Sequence, residues 1–224
     1  MAYIVCAEET EGRWVAHVPD LPGCFTSDIN LDLALKAIPA AIEGYLAWCH
    51  GHGLHVTGLS APMIVGEVIR AWNYEVDQEV NAFFAADRPP VTPGELPEYQ
   101  HLLGATRRDL IAAVDGVRAE QLQREFPGER WPMLGILRHV ANAEWWYLDR
   151  MGLTLPRSEL EEDPFERLDQ VRNHLLDSLT ALSQRQGVLA MGGETWSARK
   201  VLRRALWHER DHVQHLLRLR RMLG

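Results

Sequence analysis

Two histidines near the end of the chain, His208 and His212, lie four residues apart. They interrupt a run of apolar residues spaced by three and four, the spacing of one face of an α-helix. The full stripe is Val201, Ala205, His208, His212, Leu216, Leu219 and Leu223. Because such a stripe faces a core, we expect both imidazoles to point inward, one helical turn apart. A helix with this spacing can present two ligands to one metal ion.

A third ligand would have to come from another helix, and His139 fits this position. It shares a predicted helical face with Ile136, Ala143 and Trp146. Three imidazoles bind zinc-like divalent ions and leave one coordination position open. Such a site polarises an oxygen or stabilises a thiolate at neutral pH. We therefore predict a metal site formed by His139, His208 and His212.

Two other interpretations of the histidines stay open at this point. In the first, the three are core histidines whose ring nitrogens are satisfied by hydrogen bonds. Several buried hydrogen-bond partners would then be needed, because two of the histidines lie on one stripe and the third on a facing helix. His215 lies beside the stripe and could replace one ligand.

A second group of possible ligands lies in the first half of the chain, where segment 49–55 contains Cys49, His50, His52 and His55. Its glycines and histidines are also typical of a helix C-terminus, which is the interpretation we favour.

Further polar and aromatic residues lie close to the triad in sequence. A supporting or acid–base role is open to Asn142, Glu144, Glu209 and Asp211. We expect packing roles at the wall of a cavity for Trp145, Trp146 and Trp207. We expect the basic residues of the last helix to lie on its solvated outer face. They are Arg199, Lys200, Arg203, Arg204, Arg210, Arg218, Arg220 and Arg221.

The first 74 residues predict an α+β domain with the order β-β-β-α-β. Two short apolar runs flank Gly12, which is typical of a hairpin, and a third follows the breakers at residues 19–23. A helix is expected from Asn30 to about Gly51, with Pro39 kinking it. Residues 63–69 predict the fourth strand.

The rest of the chain predicts a linker and an all-α domain. Residues 75–97 include a proline-rich stretch, which we take as a linker between domains. Four amphipathic patterns follow in residues 98–224, an arrangement typical of a four-helix bundle.

Charge and composition narrow the function classes. The net charge is −8, and residues 1–60 contain Arg13 and Lys36 against seven acids. This acidic front half disfavours nucleic acid and suits a small basic protein partner. No apolar run approaches the ~20 residues of a membrane span, and the start lacks a signal-peptide pattern. We therefore expect a cytoplasmic protein, and three widely spaced cysteines predict no disulfide framework.

The second half resembles a known family. RWPMLGILRHVANAEWWYLDRM (residues 130–151) and ETWSARKVLRRALWHERDHVQHLLRLRRML (residues 194–223) are similar to the DinB-like superfamily of metal-binding bundles. Its pattern has a Trp or small residue opening the second helix, a histidine within it and an H-x-x-x-H in the last helix. Trp131, His139, His208 and His212 occupy these positions. The resemblance implies an up-down-down-up four-helix bundle, a homodimer, and zinc or nickel at the histidines.

The first half resembles a different family. RWVAHVPDLPGCFTSD (residues 13–28), followed by a helix, is similar to the HicB antitoxin fold. That resemblance implies a module that blocks a small basic ribonuclease toxin. HicB proteins usually have a DNA-binding tail, and here the predicted metal bundle takes its place. A structural or oligomerising role is therefore an alternative to antitoxin activity.

Together these features predict a two-domain protein with a metal-assisted transferase or hydrolase activity. Some DinB-like relatives are thiol-dependent S-transferases, which implies a small-molecule substrate and a low-molecular-weight thiol. The alternative is a non-enzymatic protein-binding or antitoxin-like module, with the bundle as a metal-stabilised scaffold.

Overall fold

The computed structural model describes residues 2–54, 61–75 and 78–224. These residues form two compact units. The first contains the described residues up to Pro89 together with Gly187–Arg203, and the second contains Pro90–Gln186 and Arg204–Gly224. Along the chain, the change from the first unit to the second falls between Pro89 and Pro90, within the segment predicted as a linker. The return of Gly187–Arg203 to the first unit was not predicted.

A four-stranded sheet organises the first unit. Its elements in chain order are β1 (Tyr3–Thr10), β2 (Arg13–His17), β3 (Phe25–Asp28), α1 (Leu31–Lys36), α2 (Ile38–Gly51) and β4 (Met63–Ile69). The strand order is β3-β2-β1-β4, with β1 antiparallel to β2 and parallel to β4. Glu11 and Gly12 both have positive φ angles, 51° and 73°, as a tight turn between twisted strands requires. The predicted mixture of strands and helices is confirmed.

The helical segment after β3 differs from the prediction, because it consists of two helices and Pro39 lies in the first turn of the second instead of kinking a single one. α1 ends at Lys36, and α2 begins at Ile38 with Pro39 in its first turn. Proline lacks the backbone N–H that a helix interior needs, whereas the first turn has no partner for that N–H. The predicted start is confirmed, since the Asn30 side chain accepts hydrogen bonds from the backbone N–H groups of Asp32 and Leu33.

The remaining elements are mostly helical. In chain order they are β5 (Asn73–Glu75), β6 (Gln78–Glu79), 3-10 turns at Ala85–Asp87 and Pro93–Glu95, α3 (Leu96–Val114), α4 (Ala119–Leu122), α5 (Met133–Asp149), a 3-10 turn at Arg157–Glu159, α6 (Pro164–Gln184), β7 (Leu189–Met191), β8 (Glu194–Trp196) and α7 (Ala198–Arg221). The four predicted helical patterns correspond to α3, α5, α6 and α7. One buried apolar cluster of the second unit includes Leu110, Ile136, Leu168 and Leu216, one from each of these helices.

The β7–β8 hairpin was not predicted, and its second strand ends at Trp196. α7 begins two residues later, because the Ser197 hydroxyl accepts a hydrogen bond from the Lys200 backbone N–H. All three cysteines, Cys6, Cys24 and Cys49, are buried free thiols. Within the described ranges, none of the helices has the length and hydropathy of a membrane-spanning segment.

The first turns of α7 bury three cations that were expected to be solvated, Lys200, Arg203 and Arg204. The Lys200 ammonium donates hydrogen bonds to the backbone oxygens of Asn81 and Thr195, at 3.0 and 2.9 Å. The Arg203 guanidinium makes a two-pronged ion pair with Asp87, at 2.8 and 2.9 Å. The prediction of a solvated face is therefore wrong for these residues. It is confirmed for Arg218, Arg220 and Arg221, which are exposed.

Replacing Asp87 tests whether this ion pair stabilises the first unit. Asp87→Ala leaves the buried Arg203 guanidinium without its main partner, so we expect the free energy of unfolding to fall by about 3–5 kcal/mol. Urea unfolding measures the loss. Asp32→Ala, on the exposed side of α1, is the control and should cost at most about 1 kcal/mol. Equal effects of the two substitutions would contradict the assignment.

Candidate metal centre

Three histidines from two helices converge in the second unit. The Nε2 atom of His208 lies 3.0 Å from Nε2 of His139 and 3.2 Å from Nε2 of His212. One ring nitrogen from each residue lies within 4.8 Å of the other two. The predicted inward stripe explains this position, because every residue of it from Val201 to Leu219 is buried. Within the described residues, this is the one cluster of three or more potential ligands that could hold an ion.

The protonation of His139 suits a metal ligand. Burial lowers the pKa of its imidazole to about 4, and the positive charges of Arg130 and His215 act in the same direction. The ring is therefore neutral at physiological pH. A neutral imidazole offers the lone pair that metal coordination needs.

The donor set fits a divalent ion on chemical grounds. Around a tetrahedral ion with Zn–N bonds of ~2.0–2.1 Å, neighbouring ligand nitrogens are separated by ~3.3 Å. The two Nε2–Nε2 distances here, 3.0 and 3.2 Å, are close to that separation. Hydrogen bonds among the three rings explain this arrangement less well than a bound ion does, because His139 and His212 both approach the same nitrogen of His208.

Aromatic rings surround the triad. The Trp131 indole stacks on the His139 imidazole, with centroids 4.6 Å apart and an angle of 28° between the planes. Tyr147 and Trp207 lie edge-on to His208, with centroids 6.1 and 6.0 Å away. The sequence analysis placed Trp207 near the site but missed Tyr147, although Tyr147 follows His139 by two helical turns. Trp145 has the expected packing role against the apolar cluster of the second unit, and its indole N–H donates a hydrogen bond to the Leu155 carbonyl.

His215 has a different partner from the one proposed for it as an alternative ligand. Its Nε2 atom lies 2.8 Å from a carboxylate oxygen of Glu129. The other Glu129 oxygen accepts a hydrogen bond from Arg218, also at 2.8 Å. His215 still stacks on His212, with centroids 5.9 Å apart. It therefore supports the triad from the side.

The segment after α2 has the features of a helix end, as favoured from the sequence. α2 ends at Gly51, and Gly53 has a positive φ of 75°. Cys49 is buried at the end of the helix, and the His52 ring lies beside Trp48. His55 lies outside the described residues.

Two of the proposed acid–base residues, Glu144 and Glu209, belong instead to a buried ring of charges. Arg107 of α3 pairs with Glu209 at 2.6 Å and with Glu144 at 3.0 Å. Arg172 of α6 pairs with each carboxylate at 2.7 Å. The ring contains one residue from each of α3, α5, α6 and α7, and it has no net charge. Of the other two candidates, Asn142 is exposed and accepts a hydrogen bond from Arg167, and Asp211 is half-buried.

Opposite charges favour the ionised form of Glu209 in this ring of charges. Burial alone would raise the pKa of the Glu209 carboxyl, but Arg107 and Arg172 hold it below its usual value. The Thr106 hydroxyl donates a further hydrogen bond to this carboxylate. The two arginines also donate to backbone carbonyls of other helices, Arg107 to Leu168 and Arg172 to Leu103. Glu209 directly follows His208 and Glu144 lies on the helix of His139, so the ring aligns the two helices that supply the histidines.

Comparison with known protein families identifies the family of the chain. Residues 102–216 match the family model of the DinB superfamily, which covers just over half of the chain and includes the triad. The chain belongs to the DinB superfamily. DinB proteins typically bind metal, which agrees with three histidines lying close together here. The match does not extend to the residues that resemble HicB. No curated protein matches the chain.

Adjacent arginines of α3 allow a test of the ring. Arg107 is buried and Arg108 is exposed. Arg107→Met leaves the two buried carboxylates with one cation, so we expect a loss of about 3–5 kcal/mol in the free energy of unfolding. Arg108→Met should change it by less than about 0.5 kcal/mol. Chemical denaturation compares the two variants, and a small effect of Arg107→Met would show that the ring does not stabilise the unit.

Proposed function

We propose that this protein is a metal-dependent enzyme of the DinB superfamily in which His139, His208 and His212 hold a divalent ion, zinc or nickel. The observation that carries the proposal is the convergence of three Nε2 atoms from α5 and α7, with separations of 3.0 and 3.2 Å. We also propose that the four long helices form the up-down-down-up bundle implied by the family resemblance, in a cytoplasmic homodimer.

The proposed reaction is transfer to or from a low-molecular-weight thiol, with hydrolysis as the related possibility. The bound ion would supply Lewis-acid chemistry that favours the thiolate or hydroxide form of a small molecule at neutral pH. The protein contributes orientation: stacking on Trp131 fixes the His139 ring, and the charge ring aligns α5 with α7. The rings of Trp131, Tyr147 and Trp207 limit the access of water to the triad.

The transfer itself needs no redox partner. The thiolate sulfur forms a bond to an electrophilic carbon, and the bond from that carbon to its leaving group breaks. The leaving group departs with the electron pair, and the thiol proton is released to solvent. A suitable first assay combines 3-mercaptopropionate with an activated aryl chloride and follows the thioether and chloride produced.

Metal removal tests the site directly. Metal at ~1,000 times its dissociation constant stabilises a fold by about 4 kcal/mol, so chelation should lower the melting temperature clearly and added zinc or nickel should restore it. His139→Ala and His208→Ala should abolish both the bound metal and the response to chelator. Elemental analysis and thermal unfolding measure these two effects.

The matched control is His101→Ala, which removes an exposed histidine of α3. It should keep one metal per chain and the full response to chelator. The triad assignment fails if His139→Ala or His208→Ala protein still binds one metal per chain with unchanged affinity.

A second candidate function, protein binding by the first unit, rests on the edge strand β4. It lies at one end of the sheet, and its side chains Ile64, Val65 and Val68 are about half exposed. An apolar edge strand is a site for pairing with another chain. The acidic composition of this half suits a small basic protein, in an antitoxin-like role consistent with the HicB resemblance.

The salt dependence of binding distinguishes a first unit that binds a small basic protein from one that only self-associates. A small basic partner should bind more weakly as ionic strength rises, and Val65→Lys in β4 should weaken that binding further. Self-association alone, without such a partner, would favour an oligomerising role for the first unit.

A further inference from the structure

The exposed Arg130 contacts the same indole, that of Trp131, on which the candidate metal ligand His139 stacks. The Arg130 guanidinium carbon is 4.4 Å from the Trp131 ring centroid. The same indole contacts the His139 imidazole, with 4.6 Å between the ring centroids. Within residues 2–54, 61–75 and 78–224, Arg130 makes neither a hydrogen bond nor a salt bridge. Stacking therefore holds the cation in place while its N–H groups stay available.

The neighbouring acid does not neutralise this charge. Glu129 precedes Arg130, but its two oxygens are engaged by His215 and Arg218, both at 2.8 Å. The buried carboxylates of the charge ring are compensated inside the ring by two arginines. Arg130 thus contributes a positive charge beside the indole that stacks on His139, and no acidic side chain of the described residues pairs with it.

A second cation lies near the triad on another helix. The guanidinium carbon of the buried Arg204 is 4.5 Å from the Trp207 ring centroid and 5.9 Å from that of Tyr147. Both rings lie edge-on to His208. Two of the aromatic rings beside His208 therefore contact a cation, as Trp131 does beside His139.

We propose that Arg130 binds a carboxylate of the small molecule that occupies the site beside His139, His208 and His212. A guanidinium fork matches the two oxygens of a carboxylate, and a cation held on an aromatic face loses little freedom on binding. This inference rests on the proposed function, and it narrows the substrate class from any small thiol to a thiol that contains a carboxylate.

A pair of probes of equal length tests the proposal. Protein loaded with Co²⁺ is titrated with 3-mercaptopropionate and, separately, with 3-mercapto-1-propanol, and the change in visible absorption gives each dissociation constant. We expect the carboxylate probe to bind about tenfold more tightly at low salt, since charge-assisted hydrogen bonds contribute on this scale. The advantage should shrink as ionic strength rises. Equal affinities for the two probes would overturn the proposal.

Substitutions assign the preference to Arg130. Arg130→Gln should bring the ratio of the two dissociation constants to about one, and Arg130→Lys should keep part of the preference. The matched control is Arg124→Gln, because Arg124 is also exposed and stacks on a different aromatic ring, that of Phe126, at 5.5 Å. Arg124→Gln should keep the full ratio. An unchanged ratio in Arg130→Gln would also overturn the proposal.

The same titration separates this inference from the proposed function. If wild-type protein binds no cobalt, the metal site fails and the carboxylate site fails with it. If wild-type and Arg130→Gln proteins each bind one cobalt per chain but do not discriminate between the probes, only the assignment of Arg130 fails. Inorganic phosphate serves as a third probe, and phosphate that competes better than acetate would replace the carboxylate with a phosphate group and so refute the proposal as stated.

Discussion

The ring of Arg107, Glu144, Arg172 and Glu209 is the constraint on which the second unit depends. Each residue comes from a different long helix, and each charge is buried. Removing charges from water costs several kcal/mol per ion, and only close pairing and further hydrogen bonds offset this cost. A shift of one helix along its axis would break several of these bonds at once. The ring therefore selects one alignment of the helices, which an apolar core of leucines would specify less strictly.

The positions of the histidines follow from that alignment. His208 and Glu209 are neighbours on α7, while His139 and Glu144 lie on α5, so the ion pairs that join the two helices also bring the imidazoles together. The two arginines and two glutamates of the charge ring balance each other, whereas Arg130 has no acidic partner among the described residues. The same unit thus uses buried charges for structure and leaves a cation next to the candidate metal centre.

Buried charges paired with oxygen atoms also occur in the first unit, where the first turns of α7 supply the cations. Its first turns place Lys200 and Arg203 among carbonyl and carboxylate oxygens of residues 81–87 and of the β7–β8 hairpin. Further along, the same helix supplies His208 and His212. A single helix therefore contributes buried cations to one unit and candidate ligands to the other, and the division of the chain into consecutive domains does not describe it completely.

The sequence by itself determined the long helices of the second half and the inward face of α7, because both depend on local periodicity. The spacing of Val201, Ala205, His208, His212 and Leu216 was enough to place two imidazoles on an inward face, and Asn30 was enough to start a helix. Only the tertiary structure decided the partners of the charges. A buried Arg203 and an exposed Arg221 look alike in sequence, since their burial depends on Asp87, more than 100 residues away. For the same reason, the pairing of Glu144 and Glu209 with arginines of other helices could not be read from α5 or α7 alone.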